Sequence, residues 1–105
     1  MPQFDVYDNP SLRSREWLPY VVDIQSNLLS DLRTRLVMPL SRVAADASQV
    51  PRRLAPAFSV LGERLLLQPH SAASIDARLL RKPVSSLVGH AGEIRDALDA
   101  VISGV

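Results

Sequence analysis

The 105-residue chain contains no cysteine, so neither a disulfide framework nor a thiolate metal site is open to it. No apolar run approaches the ~18 residues that a membrane-spanning helix needs. The first residues, Met1-Pro2-Gln3-Phe4-Asp5, bring a charge at once and leave no room for a secretory apolar region. A glycine-rich phosphate loop, an HExxH pair and a nucleophile elbow are all missing. Net charge is only +1, which gives no long-range pull towards nucleic acid. Lysine is nearly absent too, since Lys82 stands against eleven arginines. Genomic base composition accounts for that bias, and arginine also suits bidentate pairing with carboxylates. The pairs Arg13/Arg15, Arg33/Arg35, Arg52/Arg53 and Arg78/Arg81 are spread along the chain and read as solvated edges. These features together predict a single cytoplasmic domain over 1–105, without cofactor, metal or membrane contact, large enough to bury roughly two-thirds of its unfolded surface.

The most informative stretch is Tyr20 to Leu40, YVVDIQSNLLSDLRTRLVMPL. Its two apolar, β-branched ends predict antiparallel strands. Leu36, Met38 and Leu40 alternate with Arg35, Val37 and Pro39, the period of a strand with one buried face. The connection holds Leu28, Leu29 and Leu32, and a connection normally runs over the surface. Those leucines must either tuck into the core or meet a partner.

Before this stretch, Gln3–Tyr7 predicts a first strand. Asp8-Asn9-Pro10-Ser11 marks a turn, and a mobile polar loop then runs to Glu16. Trp17 is expected to cap the core edge. After it, Ser41–Gln49 predicts a turn of helix, and Pro51 and Pro56 fence an arm holding Arg52, Arg53 and Leu54. Ala57–Leu61, then Gly62-Glu63, then Arg64–Leu67 predicts a tight hairpin, with glycine supplying the turn backbone. Ala77–Leu80 predicts another short strand. Leu87, Ala91, Ile94, Leu98 and Val101 form the seam of an amphipathic C-terminal helix. Gly104 falls where a helix ends in the left-handed conformation, with Val105 after it. His70 and His90 have no nucleophile or carboxylate at a catalytic or metal spacing.

In order along the chain, Gln3-Phe4-x-Val6-Tyr7, Val22-Asp23-Ile24-Gln25-Ser26 and Arg35-Leu36-Val37-Met38-Pro39-Leu40 resemble the CcdB toxin family. The likeness continues through Leu54, Pro56, Gly62, Ile94 and Ala97 into Gly104-Val105. It implies an α+β, β-rich fold of the CcdB/MazF-like, SH3-like barrel type: an antiparallel sheet, a small second sheet and a C-terminal α-helix. It also implies a twofold homodimer that binds the DNA gyrase A subunit and traps the cleaved gyrase–DNA complex, performing no chemistry itself. A CcdA-like antitoxin with a disordered tail would neutralise it, and the pair together would bind operator DNA.

Carried over residue by residue, the resemblance places gyrase-binding positions at Leu28, Leu29, Asp99, Ser103, Gly104 and Val105. An acidic antitoxin tail would suit Arg13 and Arg15. Two positions depart from the family pattern. The well-known members end Trp-Gly-Ile, whereas this chain ends Ser103-Gly104-Val105, and Asp99 stands where they carry Asn. Losing a buried aromatic anchor of ~2 kcal/mol is expected to weaken binding about thirtyfold. Two competing readings are a MazF-like endoribonuclease toxin on the same fold and a weakened toxin retained as an antitoxin-binding regulator.

Overall fold

A computed structural model describes residues 2–42 and 55–104. Seven strands lie in one antiparallel network: β1 (Asp5–Asp8), β2 (Tyr20–Asp23), β3 (Thr34–Arg42), β4 (Ala57–Val60), β5 (Glu63–Leu67), β6 (Ala73–Asp76) and β7 (Ser85–Ser86). The path β4-β5-β3-β2-β1-β7 forms a nearly closed, barrel-like sheet, with β6 branching from β3. One helix, α1 (Ala91–Ser103), follows. The predicted α+β, β-rich class is what the structure shows. Among the described residues no helix is long and apolar enough to cross a membrane.

β3 organises the sheet because it meets three partners. One edge pairs with β2 over Val37–Leu40. The other edge pairs first with β6, over Thr34–Val37, and then with β5, over Leu40–Arg42. A central strand rarely tolerates proline, which cannot donate to the ladder. Pro39 is accommodated because it lies between those two partners. Its carbonyl accepts from Gln68 N (2.9 Å), so its missing donor falls on the side where the partner changes. The predicted hairpin is present as β4–β5, but it closes one residue earlier than expected, through Leu61 and Gly62, both at positive φ (51° and 82°), because Glu63 already pairs with Val60.

Both faces of the sheet are buried, where the alternation in β3 predicts one. On the first face Val6, Val22, Met38 and Leu40 join Phe58, Leu65 and the helix residues Ile94 and Ala97 in the main core. On the second face Tyr7, Val21 and Val37 are covered by Leu80, with Ile75 packed alongside. That cover turns Arg35 from the predicted solvated edge into a fully buried residue.

Arg35 meets Asp23, also fully buried, through Nε (2.8 Å) and Nη2 (2.7 Å), both to Oδ2. Burial pushes the Asp23 carboxyl above its ordinary range, opposed by the Gln25 N–H and by Arg35.

Three further expectations are corrected. Ala77–Leu79 is a 3-10 turn and not a strand, because Asp76 Oδ1 accepts from Arg78 N (2.9 Å) and caps it; the strand is the preceding β6. Trp17 is more than half exposed instead of capping the core, although its carbonyl accepts from Arg42 N. The polar loop after β1 is organised by Asn9, whose Nδ2 donates to Ser14 Oγ and Leu18 O while its Oδ1 accepts from Ser11 N. Ser41 belongs to β3. The rest of the helical turn predicted after it, and Leu54, lie outside the described residues.

Removing one member of a buried ion pair strands the other, at about 3–5 kcal/mol. Arg35→Met is therefore expected to lower urea-unfolding stability by about that amount, and adding Asp23→Asn to recover about half of it. The folded-state pKa of Asp23 lies above its ordinary 3.8. Without Arg35, which lowers it, the Asp23 carboxyl rises further, so the Arg35→Met deficit should narrow as pH falls from neutral towards the wild-type value, because the stranded carboxylate takes up its proton first. A deficit below ~1 kcal/mol would show that the pair does not support the fold.

Candidate partner-binding site: the leucine turn and the helix tip

The connection between β2 and β3 is a short 3-10 turn, Asn27–Leu29, followed by residues 30–33. Ser26 caps it, with Oγ accepting from Leu28 N (3.2 Å). Asn27 Oδ1 accepts from Gln3 N (3.1 Å), which ties the turn to the strand-entry segment of β1. The alternatives left open for the leucines resolve towards solvent. Leu28 is 94% exposed, Leu29 50% and Leu32 51%. Three aliphatic side chains held out by one capped turn form an exposed apolar cluster of the kind that marks an interaction surface.

The second feature is the end of α1. The helix buries Ile94, Ala97 and Ala100, so its packed stripe runs through small residues and not through Val101. Gly104 takes the left-handed conformation (φ 73°, ψ 17°) and its N–H bonds Ala100 O (3.0 Å), the predicted cap. Asp99, Ser103 and Gly104 are exposed. Ser103 Oγ donates to Asp99 O (2.7 Å), so its hydroxyl turns back onto the helix. Asp99 lies in the last turns with no basic residue beside it there, which the helix dipole disfavours by a few tenths of a kcal/mol or so. Val105 lies outside the described residues.

Sequence reasoning missed Ile102, which is 75% exposed beside Ser103. Its signal was an aliphatic residue standing off the predicted seam. The tip therefore carries a branched apolar side chain despite lacking the aromatic.

The Gln3–Phe4 segment links the turn to the first half of α1. Phe4, at φ 72°, donates its N–H to Asp23 O and accepts from Leu87 N, and the Arg95 guanidinium of α1 lies 5.6 Å from its ring centroid. Its neighbour Gln3 holds Asn27 and also donates through Nε2 to Ile24 O (2.9 Å).

Arg13 and Arg15 lie on the loop at the other end of β1, and both are exposed. Arg15 lines a groove of about 760 Å³ with Arg78, Arg81 and Lys82, beside the exposed Leu12 and Leu79. Arg13 does not line it. Asp8 is a lining carboxylate, and Asp76 pairs with Arg78 (2.8 Å). Hydrogen bonds from Arg78 hold the Asp76 carboxyl down at about 2, so that pair persists through the acid range. Among the described residues no cluster of three or more His, Asp or Glu is placed to hold a metal ion. His90 bonds Glu93 through Nδ1 (3.1 Å) and lies against the Phe58 ring.

Residues 3–104 match the family profile described as CcdB protein. The chain belongs to the CcdB family. Membership makes it a toxin-type protein of a toxin–antitoxin system rather than a catalytic enzyme. No curated protein matches it significantly. In this CcdB-family chain the β-rich fold, the leucine turn and the glycine-capped helix all fall within the matched residues.

A Cβ at position 104 would have to adopt the left-handed conformation, at about 1 kcal/mol. Gly104→Ala is expected to release the bond to Ala100 O and to speed exchange of the residue-104 amide about fivefold. Unchanged exchange would mean that the cap does not hold the tip.

Proposed function

We propose that this protein is a gyrase-directed toxin whose homodimer binds the A subunit of DNA gyrase and stabilises the cleaved gyrase–DNA complex. Family membership supplies the toxin class, and the gyrase target is what the family resemblance implies. The observation that carries the site is the solvent exposure of Leu28 and Leu29 on a turn pinned at Ser26, Asn27 and Leu29. A partner surface that buries these leucines would gain the apolar area they leave in water, about 2 kcal/mol for each well-packed side chain.

The helix tip would form the second contact, through Asp99, Ser103, Gly104 and Val105. Ile102 would take over part of the apolar contact that the family's aromatic makes. Two copies of the tip near a dimer axis would suit a twofold target. A CcdA-like antitoxin would neutralise the toxin, its acidic segment meeting Arg15 in the cationic groove and Arg13 on the adjoining loop. Operator DNA would be bound only by the toxin–antitoxin complex.

The test is a cleavage assay with purified protein, gyrase and supercoiled plasmid. Linear DNA is expected to accumulate with the wild-type chain. Leu28→Asp should raise the concentration needed about thirtyfold, and removal of residues 103–105 should abolish the effect. The cognate antitoxin should restore supercoiling less well for Arg13→Ala/Arg15→Ala. No cleaved complex at any wild-type concentration overturns the gyrase reading; RNA cleavage in its place supports the endoribonuclease alternative.

A further inference from the structure

The leucine turn hangs from a buried polar chain that neither exposure nor family membership explains. Gln25 is itself buried, yet its amide serves both sides of the connection. Its Nε2 donates to Leu29 O (2.8 Å), and its Oε1 accepts from Leu36 N (2.9 Å). Its own backbone N–H is fixed by Asp23 Oδ1 (3.0 Å), while the other oxygen of that carboxylate holds Arg35. A single side chain thus bridges the exit of β2, the far end of the turn and the body of β3. The turn itself contains no buried residue. What fixes the direction of its leucines is this amide, together with Ser26 and Asn27.

We infer that Gln25 is the positioning residue of the partner surface: it holds the Leu28–Leu29 turn in its binding geometry in the free protein. The argument is entropic. Ordering a backbone residue costs about 1–2 kcal/mol, and a loop that is loose before binding meets that cost on binding. A turn locked at both ends from the core has met it during folding. An isosteric Gln25→Met would leave Leu29 O without this donor and Leu36 N without this acceptor, and would loosen the turn while keeping both leucines. The inference rests on the reading of Leu28 and Leu29 as target contacts.

The test separates the two. Affinity for the isolated breakage–reunion domain of the gyrase A subunit is measured for Leu28→Ala in the wild-type and Gln25→Met backgrounds. Backbone order of residues 26–32 is measured by NMR relaxation in the free proteins. Leu28→Ala is expected to weaken binding about tenfold in the wild type and less than about threefold with Gln25→Met, because a loose turn no longer presents Leu28. Order over 26–32 should fall with Gln25→Met and not with Val60→Ala, a core truncation in β4 that lowers stability alone. Should Gln25→Met fail to fold, the surface variant Asn27→Ala loosens the same turn through Gln3 and replaces it in both measurements.

Equal Leu28→Ala factors in the two backgrounds, or unchanged order in the turn, overturn the inference. If the wild-type chain does not bind the gyrase domain, the gyrase reading falls. The order measurement alone then decides whether Gln25 holds the turn.

Discussion

The ion pair between Asp23 and Arg35 is the interaction on which the rest of the structure depends. Two charges withdrawn from water are a liability unless their remaining hydrogen-bond capacity is used. Here one carboxylate oxygen takes two guanidinium donors and the other takes the Gln25 N–H. The pair therefore does more than neutralise itself. It fixes the residue at which β2 ends, and through Gln25 it sets where the chain turns and where β3 begins. A hydrophobic pair in the same place would fill the space, but it would provide no directed acceptor for that amide. The stability given up by burying charge is exchanged for a defined register between two strands, the use for which buried polar groups are best attested.

The second buried face makes this arrangement workable. Tyr7, Val21 and Val37 would face water in a simple half-buried sheet. Leu80 and Ile75, from the segments around the Ala77–Leu79 turn, close over them and exclude solvent from the pair. With both faces of the strands occupied, the sheet has little apolar surface left to offer a partner. The leucine turn at the β2–β3 end and the last turn of α1 are among the places where large apolar side chains stay exposed. Both are anchored from behind, by Gln25, Ser26 and Asn27 for the turn and by the buried Ala97 and Ala100 for the tip. Rigid presentation of an exposed side chain limits the ordering needed on association.

Features governed by neighbours in sequence were legible without coordinates. The helix announced itself by its seam, its end by Gly104, and the hairpin by Gly62. Features governed by distant cover were not. Arg35 occupies an alternating strand position that reads as solvent-facing, and only Leu80, some forty-five residues later, makes it interior. Ala77–Leu80 looked like a strand because its composition is apolar, whereas the deciding atom was the Asp76 carboxylate capping the turn. For Leu28, Leu29 and Leu32 the pattern allowed core or surface equally, since burial depends on what packs above a turn and nothing in its own residues states that. Ile102 escaped notice for the opposite reason: one aliphatic residue off a helical seam is ordinary until its exposure is known.

If the buried pair, Gln25 and the turn form one unit, the unit should open only when the sheet does. Native-state hydrogen exchange of the Leu36 amide measures this most directly, because that N–H is bonded to the Gln25 side chain across the base of the turn. The account predicts an opening free energy for Leu36 within about 1 kcal/mol of global unfolding, alongside the amides of β2 and β3. An opening free energy several kcal/mol lower, with the neighbouring strand amides still protected, would mean that the turn moves independently of the core. That result would contradict the central claim.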